Sequence, residues 1–482
     1  MSETASASAP RHLWLVIALV CTGAFVGQVD ATIVQLALPT LGRVFDAPLQ
    51  HISWVALSYL LAFASFLPIF GRLCEMLGRK PLYLIGYGIF VAASALCGYA
   101  GSLEELLVYR FLQGIGGALL GANSISILVA TVPPDQRGRA LGYFAAAQAV
   151  GMSAGPALGG IILDSLGWRW VFWLTVPFGL VAMLLGWLVL PSVPRRGQQR
   201  FDWGGMLLIG PALILIVSTL NHVSSWGLLS APTLGSLAVA AVLLWLLVRR
   251  ERSFGAPLIN PRLYRAPGFR SGAVASVLAY ALLYAMFFLM SFALEHGYGE
   301  SPAQAGLRLA LIPVALGLTA PFSSELKRLL GARHIGVVGM LLCLASVLLL
   351  MGTLGLSPDH HVYDTLAFVL VGIGLGLFIA PNTHATIAAA PGDLSGAVGS
   401  QLNLMRVLGT SLGVAAGATL LAARLAADTG VPHGWMSASS DSLLAAVRQS
   451  LPILLAIAAA AAFAARTTAG HAAAADSGAP PR

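Results

Sequence analysis

Two side chains sit where a charge is expensive. From Leu13 the chain carries no acidic or basic residue until Asp30, inside "VDATIVQLALP" (29–39), and Arg110 opens a similar stretch, "RFLQGIGGALLGAN" (110–123). A carboxylate in a low-dielectric medium is pulled two ways. Desolvation favours the neutral acid, and a nearby cation favours the carboxylate. Changing either influence binds or releases a proton. Arg110 can serve only as a fixed cation, because a guanidinium keeps its proton in proteins. Arg406, in "GSQLNLMRVLG" (399–409), is a further deep charge with no acidic residue at similar depth in its half of the chain. Its partners could be the surroundings of Asp30, the polar groups Gln401 and Asn403, or backbone carbonyls, and its role coupling or substrate binding. Glu295, near the end of an apolar run, reads as an interfacial charge in water or, alternatively, as a coupling or substrate group.

The elements that must position these residues follow from composition. The chain has 482 residues, 57% of them hydrophobic and only 10% charged. Soluble domains carry about 25% charged residues, so a soluble protein is excluded. Apolar runs of about 20 residues suit helices that cross a bilayer, and the ~10-residue alternating segments of a membrane barrel are absent. Gly, Pro and charge clusters divide the chain into fourteen candidate spans: 13–37, 51–70, 82–100, 106–130, 139–163, 170–190, 204–220, 229–248, 271–293, 304–322, 335–354, 365–389, 397–423 and 447–465. The fold class is therefore an all-α polytopic membrane protein. Residues 1–12 read as a short cytoplasmic lead rather than a secretory signal, and 466–482, rich in Ala, Gly and Pro, as a disordered tail. The four cysteines form no CxxC pair and read as small buried hydrophobes.

The formal charge is +8, but no nucleic-acid partner is expected, because the basic residues fall in alternate loops. Arg72, Arg79, Lys80, Arg137, Arg139, Arg195, Arg196 and Arg200 share one side with the later Arg249, Arg250, Arg252, Arg262 and Arg265. The other side holds Arg43, Arg169, Arg308, Arg424 and Arg448. The positive-inside rule then puts both termini in the cytoplasm.

An internal repeat runs at one constant offset. "GIGGALLGAN" lies beside "GIGLGLFIAP", so that Gly114 matches Gly372 and Gly116 matches Gly374. Without a gap, Pro133, Asp135 and Gly138 meet Pro391, Asp393 and Gly396, and Gly151, Gly155 and Gly159 meet Gly409, Gly413 and Gly417. The fourth and fifth spans thus map onto the twelfth and thirteenth. Two six-helix halves (13–190 and 271–465) with two helices inserted in a linker (191–270) account for that shift. Parallel repeats of this kind belong to transporters, with the substrate path between the halves.

"GRLCEMLGRK" (71–80) resembles the loop between the second and third helices of the major facilitator superfamily, and "SELKRLLGAR" (324–333) is its echo in the second half. "GMSAGPALGG" (151–160) resembles the fifth-helix motif of antiporters, and "VDATIVQLALP", "GWRWVFWLTVPFG" (167–179) and "GSQLNLMRVLG" resemble signatures of the fourteen-helix drug:proton antiporters. Where the family pattern has Asp in the loop motif this chain has Glu75, and Gln35 stands where Asn is usual. The resemblance implies that Gly71, Glu75, Gly78, Arg79 and Lys80 latch the halves in one state. It implies also that Gly151, Gly155, Pro156, Gly159 and Gly160 pack and bend the fifth helix. The family fold brings the first and fourth helices together, and on helix geometry Asp30 and Arg110 lie roughly 13 Å and about 8 Å below the same side. Asp30 with Arg110 is therefore the expected proton-coupling pair.

No P-loop, HExxH or nucleophile motif is present, so neither an enzyme nor a resident cofactor or metal is expected. The resemblance implies a proton-driven exporter of small amphipathic or cationic compounds, drugs or biocides, in the inner membrane of a bacterium; a monomer is compatible with the sequence, which does not fix the oligomeric state. The alternative is an exporter dedicated to one endogenous product such as an antibiotic, a siderophore or a lipid-like compound.

Overall fold

A computed structural model describes residues 13–190, 201–254, 257–355, 361–391, 394–429 and 435–477. Among them there is no β-strand, and fourteen helices are long and apolar enough to cross a membrane. The first half contains α1 (Leu13–Val44), α2 (Leu49–Leu77), α3 (Arg79–Tyr99), α4 (Leu103–Thr131), α5 (Arg137–Ser165) and α6 (Arg169–Val189). Next come α7 (Trp203–Trp226) and α8 (Ala231–Ser253). The second half contains α9 (Pro267–Gly297), α10 (Pro302–Phe322), α11 (His334–Thr353), α12 (His361–Ala388), α13 (Val398–Ala427) and α14 (Ser440–Thr468). In hydrocarbon each segment must satisfy its own backbone hydrogen bonds, and a helix does so. The face where α1 begins and α14 ends is called here the terminal face.

Local sequence sets the helix ends. Ser102 accepts from the Glu105 N–H at the start of α4, and Ser301 with Gln304 forms a capping box before α10, where Pro302 takes the first turn. Gly78, between α2 and α3, and Gly331, before α11, have φ of +101° and +83°, a region that a side chain disfavours. They hold matching places in the two halves.

Several helices run past their expected ends, α2 to Leu77 and α7 to Trp226 among them, and two of these extensions change the reading. α1 does not stop near residue 37 but continues through Pro39 to Val44. The last helix runs past Arg466 to Ser477, where a disordered tail was expected; its alanines are the strongest helix formers. Residues 1–12, 478–482 and Asp393, with Arg195, Arg196 and Arg200 of the linker, lie outside the described residues.

The repeat is visible in the packing. α1 packs on α5 and α2 on α4, as α9 packs on α13 and α10 on α12; α3 lies on α4 as α11 lies on α12. Matching glycines make matching contacts. A Cβ on Gly114 would lie 2.4 Å from the Tyr59 carbonyl oxygen of α2, and one on Gly372 would lie 2.3 Å from that of Ile312 in α10. The halves meet along α5–α10 and α2–α13. The inserted α7 covers the second seam: Asn221 Nδ2 donates to the Gln50 carbonyl of α2 (3.0 Å), and Thr419 of α13 donates to the Leu220 carbonyl (2.6 Å).

Candidate proton and substrate site

Asp30 of α1 and Arg110 of α4 form a fully buried ion pair, with Arg110 Nη1 2.9 Å from Asp30 Oδ2. The pair is built into a network. Gln113, one turn along α4 from Arg110, donates to Asp30 Oδ1 (2.8 Å) and to Ser94 Oγ of α3 (2.6 Å), and Ser94 meets Thr175 of α6 at 2.9 Å. Arg110 Nε donates to the Val55 carbonyl of α2 (3.0 Å), and its guanidinium lies 4.4 Å from the Tyr59 ring centroid. Both carboxylate oxygens thus have a donor, as a charge removed from water requires. Five of the six helices of the first half contribute. The second half has no equivalent: Phe368 and Val371 stand where the repeat puts Arg110 and Gln113. Gln113, Ser94, Thr175 and Tyr59 were not singled out from the sequence as members of this network. For Gln113 a signal existed, since residues three apart on a helix share a face.

Beside this pair lies a cavity of about 300 Å³ between the halves. Gln28 and Ala31 of α1, Tyr59 and Phe63 of α2, and Tyr280 and Tyr284 of α9 line it, with Asn403 and Arg406 of α13. Others of its lining residues, among them Ile125, Gln148, Ile387 and Gly399, lie in the halves of their helices nearer the terminal face. Tyr59 therefore joins the cavity to the ion pair. Of the alternatives open for Arg406, the structure selects Asn403, whose Oδ1 accepts from Nε (3.0 Å) and Nη2 (2.8 Å). Gln401 instead accepts from Tyr264 (3.0 Å).

The opposite face is closed. Glu295 is not a solvent-facing charge but buried, in a π turn (Ala293–Gly297) at the end of α9. Its Oε2 accepts from Arg43 (3.1 Å) and Thr40 (3.2 Å) of α1, across the seam between halves. The Trp435 indole, from the segment before α14, covers Gly42, where a Cβ would lie 2.5 Å from the ring, and donates to the Ala47 carbonyl (3.0 Å). Further carboxylates are buried at Asp202, Glu251 and Asp364. Each is near a helix end, so burial is commoner than depth in the sequence suggested.

The loop motif makes its bonds within the first half in this state. Glu75 pairs with Arg72 of its own helix (2.9 Å). Arg79 donates to the Ser126 carbonyl near the end of α4, and Lys80 to the Leu190 carbonyl after α6, each at 2.7 Å; cations suit helix C-termini. Gly71 and Gly78 make no close packing contact.

The fifth-helix glycines do touch neighbours. A Cβ on Gly151 would lie 2.5 Å from the Phe25 carbonyl oxygen, on Gly155 1.9 Å from Thr32 Oγ1, and on Gly159 2.5 Å from Ile33, all in α1. A Cβ on Gly160 would lie 2.2 Å from the Pro302 carbonyl oxygen of α10, and one on Gly306 of α10 would lie 2.3 Å from that of Pro156. α5 is thereby close-packed against both halves.

A family model described as Major Facilitator Superfamily matches residues 20–414. The chain is 32% identical over 414 residues to the tetracenomycin C resistance and export protein of Streptomyces glaucescens, covering 86% of this chain and 76% of that protein. It is 31% identical over 408 residues to the riboflavin transporter RibZ of Clostridioides difficile (strain 630), covering 84% and 87%. The drug efflux pump JefA of Mycobacterium tuberculosis (strain ATCC 25618 / H37Rv) is 30% identical over 408 residues, covering 84% and 80%. Among solved structures, a bacterial homologue of the human lysosomal transporter Spinster, inward-facing and unoccupied, matches with a TM-score of 0.70 over 95% of this chain and 98% of that one, at 15% identity. An autoinhibited POT family peptide transporter matches at 0.68 over 96% and 97%, at 18% identity. These two likenesses are of fold.

Proposed function

The chain belongs to the Major Facilitator Superfamily of membrane transporters, and from that membership we propose that it is a proton-coupled exporter of small amphipathic compounds. The terminal face is then the cytoplasmic face of a bacterial inner membrane, a placement that the arginine-rich loops on that side support. The relatives named for export and drug efflux support the outward direction.

One observation carries the coupling: a buried, fully bonded Asp30–Arg110 pair shares Tyr59 with a cavity that spans both halves. Substrate entering from the cytoplasm packs against Tyr59, the residue on which Arg110 rests. The pair is sealed from the cavity in this state. Closure on the substrate and opening of the far face separate Arg110 from Asp30 and wet the site, and Asp30 then takes a proton from outside. Return to the inward state re-forms the pair and expels that proton. Each elementary charge moved is worth about 2.3 kcal/mol per 100 mV. Gly160 and Gly306, at the α5–α10 seam, supply the close approach on which the halves rock. One protein molecule contains every residue this cycle uses, so a monomer suffices.

The test uses everted membrane vesicles from cells expressing the protein, energised acid-inside and offered a panel of fluorescent dyes, biocides and antibiotics. Accumulation that a protonophore abolishes is expected. Accumulation indifferent to the protonophore, or dependent instead on sodium, contradicts the proposal.

A further inference from the structure

The cavity has a charge character of its own. Arg406 is the one acidic or basic side chain among the residues that line it. Asn403, its hydrogen-bond partner, is neutral, and among the described residues no carboxylate pairs with it. Asp30 does not offset it, since that carboxylate is 0% exposed and already neutralised by Arg110. Among the surrounding residues are the aromatic rings of Tyr59, Phe63, Phe90, Tyr280 and Tyr284.

We infer that the substrates are planar aromatic compounds carrying a carboxylate or phenolate, with the anionic group at Arg406 and the ring system among Tyr59, Tyr280 and Tyr284. This rests on the transport reading for its role but not on proton coupling. A lone guanidinium in a partly desolvated site gains from an anionic acceptor through charge-assisted, bidentate hydrogen bonds. Aromatic ligands stack on tyrosine faces at little entropic cost. The competing reading is a cationic ligand held on the same tyrosines by cation–π attraction. It loses because Arg406 lines the same cavity as all three rings, where its charge repels a second cation. A cavity of about 300 Å³ is at the lower end of the range that holds drug-sized ligands.

A matched pair of xanthene dyes tests the assignment. Fluorescein is anionic at neutral pH, and rhodamine 123 is cationic on a similar ring system. Fluorescence anisotropy is measured with the purified protein in non-ionic detergent, without any gradient. The wild type binds fluorescein on the order of tenfold more tightly than rhodamine 123, and Arg406→Gln removes about that factor for fluorescein alone. Arg406→Lys restores part of it, and thermal unfolding in the same detergent checks that the variants are folded. Tighter binding of rhodamine 123, binding of neither dye, or fluorescein affinity unchanged in a folded Arg406→Gln protein overturns the inference. Because no gradient is applied, a failure of proton coupling leaves this result standing, and a failure of dye preference leaves the coupling standing.

Discussion

Arg110 does several jobs at once: it balances Asp30, bonds the Val55 carbonyl and supports the Tyr59 ring. Its two obvious perturbations should therefore differ. Arg110→Ala leaves a buried carboxylate uncompensated, and losing one partner of such a pair costs about 3–5 kcal/mol. The variant is expected to unfold at clearly lower temperature in detergent, and wild-type thermal stability would mean that Asp30 already stands neutral there. Tyr59→Leu keeps the ion pair but removes its link to the cavity, so substrate is expected to bind while its stimulation of proton movement is lost; intact stimulation would exclude Tyr59 as the link. Asp30 and Arg110 were legible in the sequence because a charge in a long apolar run is anomalous. Gln113, one turn from Arg110, carried a weaker signal, and Ser94 and Thr175 carried none, since neutral polar residues are ordinary in spans and only the fold brings α3 and α6 to this network.

Among the elements, α5 was the most legible and α1 the least complete. The glycine stripe of α5 announced a close-packed helix, and its two faces separate two functions. Gly155 faces α1 within the first half, where a Cβ would meet Thr32 at 1.9 Å; Gly160 faces α10 of the second half. Gly155→Val is expected to destabilise the first half itself, at about 1–3 kcal/mol as overpacking does, read as lower thermal stability. Gly160→Val should leave that half intact and loosen the seam, read as a wider separation between spin labels on the outer ends of the halves, at positions 99 and 362, both exposed. Equal effects of the two substitutions on both measurements would contradict this division. In α1 the expected span ended at residue 37, yet a membrane helix can accommodate a proline such as Pro39 where neighbouring groups compensate the missing bond. The extension it permits takes Thr40 and Arg43 to Glu295. No local pattern could announce a contact between residues so far apart in the chain.

At the scale of the whole molecule, two closures must alternate. In this state the outer one is made, by Trp435 on Gly42 and by Arg43 with Glu295, while Glu75 stays within its own half. Trp435→Ala is expected to raise the outward-open population, again as a longer distance between labels at 99 and 362; an unchanged distance distribution would remove the indole from the gate. The repeat and the inserted pair were readable from a gapless series of matched Gly, Pro and Asp positions, whereas the conformational state was not, because it depends on which of two sets of contacts is made. The central claim is that Asp30 is the group through which proton movement drives export. Asp30→Asn keeps the size and much of the hydrogen bonding but cannot release a proton. The decisive measurement compares dye uptake into proteoliposomes of wild type and Asp30→Asn, each with and without an acid-inside pH gradient. The gradient should accelerate uptake by the wild type and leave the variant at its gradient-free rate; a variant accelerated as strongly as the wild type would contradict the account.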